Sequence, residues 1–285
     1  MPKDSTSREK DSMIRTLAID IGGSGIKAIT LDEKGIPVTE RSRLPTPQPA
    51  TPKGVLGIIS QLAKAQGTFD RVSVGFPGVI RHGVVYTAPN LDPSWSGFNL
   101  VAGLTRLLKK PVRAANDADV QGFGAIKGRD IELVITLGTG FGSSLFVDGK
   151  LVPNLEIAHH PFRSGKTYEE QLGDKALKKI GLKKWNKRLL KAIEILNRVF
   201  NFDHLYIGGG NSKKVSVELP EKVTLVPNSA GLVGGIAFWK FEADDPMIRW
   251  VQPQGKGSGL PKRNLSRSGK TYKGARAITS PSAAP

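Results

Sequence analysis

The stretch Leu17-Ala-Ile-Asp20-Ile-Gly-Gly-Ser24-Gly-Ile-Lys27 decides the fold. An apolar run ends at Asp20, small residues follow, and GIKAITLD (25–32) resumes the apolar run, so the pattern predicts two strands joined by a glycine-rich hairpin. The turn Asp32-Glu-Lys-Gly35 leads into a third run, PVTERSRLP (37–45), which completes an expected three-stranded meander. Glycines let backbone N–H groups approach an anion closely, and Ser24 adds a hydroxyl donor. Asp20, at a strand end, offers the hard oxygen that would hold Mg2+ through water.

Further along, LVITLGTGFGSSLFVDGKLV (133–152) repeats this logic: an apolar strand, a turn at Gly138, Thr139 and Gly140, then a second apolar strand. An internal repeat of this kind implies two similar lobes. Between the two turns, VRAAND (112–117) is a strand whose end carries Asn116 and Asp117. Neither turn fits a Walker A loop, which needs Gly-Lys-Ser/Thr opening a helix, or a dinucleotide fingerprint. Each turn alone reads equally well as a tight hairpin. Both in order, with a carboxylate at a strand end between them, favour phosphate binding. The pair Asn116-Asp117 also reads as a helix N-cap, because Asp and Asn are preferred there.

Outward from these motifs, Pro52 stands where a helix can begin, and Val55, Ile58, Ile59 and Leu62 recur at helical spacing after the stiff segment TPQPATP (46–52). RVSVGFPG (71–78) is a buried strand running into a turn, and Gly75 to Gly78 are expected to shape a pocket wall. Leu100, Leu104, Leu107 and Leu108 mark a second helix ended by Pro111. Residues 168–201 read as helical, and HLYIGGG (204–210) as a strand running into three glycines. Beyond about residue 241 periodicity is lost and Ser, Gly, Pro and Lys dominate. The expected organisation is a disordered lead-in over 1–14, an N-terminal α/β lobe over 15–115, a C-terminal α/β lobe over 116–240 whose last helix packs back on the first, and a basic tail over 241–285.

Composition narrows the function. The 285 residues include no cysteine, which removes disulfides, thiolate zinc sites and thiol nucleophiles together. No run approaches the roughly 20 apolar residues that span a bilayer, and MPKDSTSREKDSMIR has no apolar signal core, so a cytoplasmic protein without a membrane partner is expected. The net charge of +17 attracts polyanions of any kind. The tail, with 8 basic and 3 acidic residues, supplies +5 of it.

Asp20-Ile-Gly-Gly-Ser24-Gly-Ile-Lys27, Asn116-Asp117 and Leu137-Gly-Thr-Gly-Phe-Gly-Ser143, in that order, resemble the actin-like ATPase superfamily, within it the ROK (repressor, ORF, kinase) sugar kinases, and among those the polyphosphate glucokinases. The segment Pro45-Thr-Pro-Gln-Pro-Ala-Thr-Pro52 is similar to one found in the polyphosphate-using members. The resemblance covers about residues 15–240. It implies an α/β protein of the actin-like ATPase (ribonuclease H-like) fold, two lobes with an interdomain cleft, and phosphorylation of the glucose 6-hydroxyl by inorganic polyphosphate or ATP with Mg2+. A strictly ATP-dependent glucokinase, mannokinase or fructokinase is the alternative.

On this resemblance Asp20, Gly22, Gly23, Ser24 and Lys27 correspond to the first phosphate motif, with Asp20 also on the metal. Gly138, Thr139 and Gly140 correspond to the second, and Gly208, Gly209 and Gly210 to the adenosine-side loop. Asp117 is the implied base and Asn116 a sugar ligand. Glu156-Ile-Ala-His159 resembles the family's Glu-x-x-His sugar motif, Glu169 its further sugar-binding glutamate, and Asn90 a sugar-contacting asparagine, though a plain Pro/Asn turn accounts for Asn90 equally well. His160 is expected to be structural, Trp95 to pack, and Glu170 to lie exposed on its helix. Many ROK proteins carry a cysteine-based zinc site before this glutamate; here Arg163-Ser-Gly-Lys166 stands instead, so a zinc requirement does not carry over.

Lys184, Lys187, Arg188 and Lys191 fall on one helical face, either a guide for polyphosphate or an ordinary solvated surface. Relatives are commonly dimers, so a homodimer is expected. A repressor would need a helix-turn-helix domain ahead of Leu17, where about sixteen residues are too few, so no specific nucleic acid partner is expected.

Overall fold

The computed structural model describes residues 14–227 and 233–240. The expected tail and all of the lead-in but Ile14 lie outside the described residues. The predicted first hairpin forms from β1 (Thr16–Ile21) and β2 (Gly25–Leu31), antiparallel, with β3 (Ser42–Pro45) beside β2. Only the last four residues of PVTERSRLP pair as a strand, although an isolated bridge joins Leu31 to Pro37. Strands β4 (Arg71–Phe76), the small hairpin β5 (Ile80–Arg81) and β6 (Val84–Val85), and β7 (Val112–Asn116) follow. The first five-stranded sheet has the order β3-β2-β1-β4-β7, with β4 and β7 parallel to β1.

Two helices cover this sheet. In α1 (Pro52–Ala65) Thr51 Oγ1 accepts from the Gly54 N–H at 3.3 Å, Pro52 opens the first turn, and Val55, Ile59 and Leu62 are buried. In α2 (Leu100–Leu108) Asn99 Oδ1 accepts from the Ala102 N–H at 2.9 Å. Trp95 packs, as expected: it is fully buried, lies 5.0 Å from Phe76, and donates its indole N–H to the Ala50 carbonyl at 2.7 Å.

The second lobe repeats the plan. Strands β8 (Ile131–Leu137), β9 (Phe141–Val147) and β10 (Lys150–Val152) form a meander, and β13 (His204–Gly208) and β14 (Val223–Leu225) add in parallel to β8, giving the order β10-β9-β8-β13-β14. The short hairpin β11 (Pro161–Arg163) and β12 (Lys166–Thr167) stands apart. Helix α3 (Asp117–Phe123) leaves the end of β7 and packs on β9. The expected helical stretch 168–201 is three helices, α4 (Tyr168–Leu172), α5 (Asp174–Ile180) and α6 (Leu182–Phe200). Gly173 and Gly181 break it, and Gly181 has φ of 76°, a conformation costly for other residues.

Residues 233–240 fold back on the first sheet. Ser73 Oγ donates to the Gly235 carbonyl at 2.6 Å, the Trp239 indole donates to Ser73 Oγ at 2.8 Å, and Arg113 donates to the Phe238 carbonyl while its guanidinium lies 4.5 Å from the Trp239 ring. Phe238 also packs against Ala115 and Val120, so this segment fixes the root of α3, where the candidate site lies. Among the described residues no helix is long and apolar enough to cross a membrane.

Candidate active site

Helix α3 starts on Asn116, whose Oδ1 accepts from the backbone N–H of Ala118 at 2.8 Å and of Asp119 at 3.4 Å. Its Nδ2 donates to the Gly78 carbonyl at 3.3 Å. The capping reading of Asn116-Asp117 thus falls on the first of the two residues. Asn116 is the cap, and both ends of its amide are engaged within the protein. Asp117 stands one residue on, with Oδ1 held by the Ala118 N–H at 2.8 Å, and it lines the cleft.

That cleft has a volume of about 630 Å³. One side is formed by Asp20, Gly22, Gly23, Ser24 and Lys27, the other by Gly138, Thr139 and Gly140, with Asn116 and Asp117 between them and Asn90, Glu156, His159 and Glu169 completing the lining. The two glycine turns thus open into one space. Each is closed by a short backbone bond, from the Gly22 N–H to the Gly25 carbonyl and from the Gly138 N–H to the Gly140 carbonyl, both 3.1 Å. Lys27 Nζ donates to Asp20 Oδ2 at 2.7 Å.

Burial pushes the Asp117 carboxyl up to about 7, helped by the negative charges of Asp20 and, less strongly, Glu156. Burial also raises Glu156, and Glu169 adds to the rise against the pull of His159, whose Nε2 lies 3.6 Å from Glu156 Oε2. The segment Ile157–His159 is a single 3-10 turn, and it turns both side chains into the cleft. Glu169 lies against the second glycine turn, its Oε2 accepting from the Phe141 N–H at 3.4 Å; a Cβ on Gly140 would run into this carboxylate.

Asp119 adds a different feature. It is buried, its Oδ1 has no hydrogen-bond partner, and burial raises its carboxyl well above the usual range. A carboxyl raised on folding favours the folded state fully below its unfolded value of about 3.9, and that contribution is lost as pH climbs toward the folded value. Asp119→Asn keeps the shape without the charge. It is therefore expected to raise Tm at pH 8, by about 2–4 °C for each kcal/mol relieved. The gain should fade as pH approaches 4 in a thermal melt series.

The absence of zinc-binding cysteines leaves α4 to be braced by other means. Thr167 and Glu170 form a capping box, with Thr167 Oγ1 accepting from the Glu170 N–H at 3.2 Å and Glu170 Oε2 accepting from the Thr167 N–H at 2.9 Å. Glu170 thus has a capping role that the sequence reading left out, although Thr-x-x-Glu is visible in it. Tyr168 stacks on Phe162 at 4.7 Å, and the Trp185 indole donates to the Leu172 carbonyl at 2.8 Å. His160 Nδ1 lies 2.8 Å from the Pro161 carbonyl.

Two placements depart from expectation. Gly209 and Gly210 line the cleft but Gly208 does not: it ends β13, and a Cβ there would meet the Gln121 amide. Pro77 and Gly78 form cleft wall, whereas Gly75 lies beneath Asp117. The face of Lys184, Lys187, Arg188 and Lys191 lies outside the cleft lining, which leaves both its readings, a polyphosphate guide and a solvated surface, as they stood; Lys191 pairs with Glu194 at 2.9 Å and Arg188 donates to the Gln171 carbonyl at 3.5 Å. The sequence reading missed Arg43, Gln121, Thr136 and Ser143, all of which line the cleft. Gln121, four residues after Asp117, was reachable by helical spacing. Among the described residues, no three His, Asp or Glu side chains converge as a metal cage.

Residues 16–155 match the ROK family. The polyphosphate glucokinase of Mycobacterium tuberculosis (strain ATCC 25618 / H37Rv) is 35% identical over 233 residues, 76% of this chain and 88% of that protein. The inorganic polyphosphate/ATP-glucomannokinase from Arthrobacter sp. strain KM superposes with a TM-score of 0.72 at 36% identity, covering 79% of this chain and 98% of that one. A ROK family glucokinase from Streptomyces griseus, solved with glucose and AMPPNP, shares the fold with a TM-score of 0.68 at 20% identity, over 79% of this chain and 98% of its own.

Proposed function

The chain belongs to the ROK family, and from that premise we propose that it phosphorylates glucose at the 6-hydroxyl, taking the phosphoryl group from inorganic polyphosphate, with ATP as a second donor. The observation that carries the reading is Asp117, a carboxylate that burial pushes up to about 7 and that lines one cleft between two anion-type glycine turns. The polyphosphate relatives, similar over most of the chain, support the donor.

In this reading the sugar lies against Glu156, His159, Glu169 and Asn90, whose polar atoms match an array of hydroxyls. Asn116 contributes chiefly by fixing α3, since its amide is already bonded at both ends. The 6-hydroxyl proton passes to Asp117 Oδ2 as the O6–phosphorus bond forms. The phosphorus–oxygen bond to the rest of the donor breaks, and the shortened polyphosphate or ADP leaves with its electron pair. A base with a pKa near the working pH suits this step. The N–H groups of the two turns take the charge on the transferred group.

Asp20 lines the cleft with Oδ2 taken by Lys27 at 2.7 Å. Its other oxygen would be the one to hold a hard divalent cation, since Mg2+ accepts a single carboxylate and completes its shell with water and donor phosphates. When bound, the cation supplies neutralisation of phosphate charge. Gly209 and Gly210, present in the lining, favour ATP as an additional donor.

The test is glucose 6-phosphate formation by purified protein, polyphosphate against ATP, with mannose and fructose as competing acceptors. Turnover with polyphosphate and glucose is expected. Turnover with ATP alone would make the chain an ATP-dependent hexokinase and the basic face of α6 a solvated surface. No turnover with either donor would overturn the kinase reading.

A further inference from the structure

The strand register sets up a row of charge that runs from the centre of the first sheet to its edge. Asp20 on β1 pairs with Lys27 on β2, and Lys27 pairs with Arg43 on β3. Residues directly opposite on adjacent strands project from the same face, and all three line the cleft. β3 is the edge strand of its sheet.

The two cations of this row are not equivalent. Lys27 is held on Asp20 at 2.7 Å. Arg43 is exposed and has no carboxylate within ion-pair distance among the described residues. Its Nη2 donates to the Ser24 carbonyl at 3.3 Å, which seats the guanidinium on the first glycine turn. Gly25 makes the room for it: a Cβ there would lie 2.6 Å from Nη2 and 2.7 Å from Nε. The basic face of α6, by contrast, contributes nothing to the cleft lining.

We propose that Arg43 is a donor-binding residue that clamps phosphates of inorganic polyphosphate beyond the one transferred, and that the chain leaves the cleft over the β3 edge. The inference rests on the kinase reading above and adds the direction of the donor and the residue that selects it. A guanidinium offers a planar fork of donors matched to phosphate oxygens. The nucleoside of ATP is led across the cleft to Gly209 and Gly210, on the other lobe, so its binding draws less on Arg43.

Steady-state kinetics of Arg43→Gln and Arg43→Lys test this. Arg43→Gln keeps a donor for the Ser24 carbonyl but removes the charge. It is expected to raise KM for polyphosphate about 10–100-fold, the span expected for loss of a charge-assisted hydrogen bond. KM for ATP should change far less and KM for glucose not at all, and the dependence of polyphosphate KM on salt should flatten. Arg43→Lys is expected to recover part of the loss.

Equal losses with both donors, or a rise in glucose KM in proportion, would overturn the proposal. So would a polyphosphate KM that is unmoved by Arg43→Gln and rises only when Lys184, Lys187 and Lys191 are neutralised together. Should the wild type turn over neither donor, the kinase reading has failed, and calorimetric titration of inorganic polyphosphate into wild type and Arg43→Gln still decides the role of Arg43. Weaker binding by the variant supports it and equal binding overturns it.

Discussion

Asp117→Asn is expected to lower kcat by about 10²–10⁴-fold, the usual contribution of a positioned general base, and to leave KM for glucose nearly unchanged. The asparagine keeps the oxygen that accepts from the Ala118 N–H, so the start of α3 is preserved. What disappears is the oxygen that takes the sugar proton. In the wild type, kcat/KM should fall tenfold per pH unit on the acid side, bending near pH 7, because Asp117 acts only when ionised and its carboxyl is pushed up to about 7. A kcat/KM profile flat through this region would remove Asp117 as the base. Folding provides the control. A carboxyl raised on folding has lost its stabilising contribution by pH 8, so Asp117→Asn is expected to melt higher than wild type at that pH. Slower chemistry in a more stable protein cannot be attributed to misfolding.

The parts of this site that could be read in the sequence are those set by local chain geometry. A strand, a small-residue turn and a strand are adjacent in sequence, so the hairpins at residues 17–32 and 133–152 and the strand end at Asn116-Asp117 were legible, and with them the two-lobed fold. The rest depends on relations that sequence spacing does not encode. Arg43 reaches the cleft because it pairs with Lys27 across two strands, a register fixed only by the folded sheet. Gly208 is one of three consecutive glycines, yet the end of β13 turns it to Gln121 while its neighbours face the cleft. The basic residues of α6 do share a face, but Trp185, Leu189, Ala192 and Leu196 bind the opposite face to the core and so decide where that charge points. The break at Gly173 was visible as a glycine, but its position became structural through the carbonyls of Gly138 and Thr139, which accept from the Asp174 N–H and anchor α5 on the second turn.

Asp20→Asn is expected to produce two effects of opposite sense. A cation that neutralises phosphate charge contributes several kcal/mol to a phosphoryl-transfer transition state, and each 1.36 kcal/mol is tenfold in rate, so loss of its carboxylate should lower kcat on the order of 10³-fold and raise the Mg2+ concentration needed for half-maximal rate. At the same time Asp20 is the strongest of the charges that raise Asp117. Removing it, and leaving Lys27 without an anionic partner nearby, should shift the acid limb of kcat/KM to lower pH. The variant would then be much slower yet less sensitive to acid. A purely structural Asp20–Lys27 pair makes a different prediction: a lower Tm, with the Mg2+ requirement and the acid limb both unmoved. Measuring rate against Mg2+ and against pH on the same preparation separates the two, because disturbing the fold cannot by itself slow the enzyme and widen its working range toward acid.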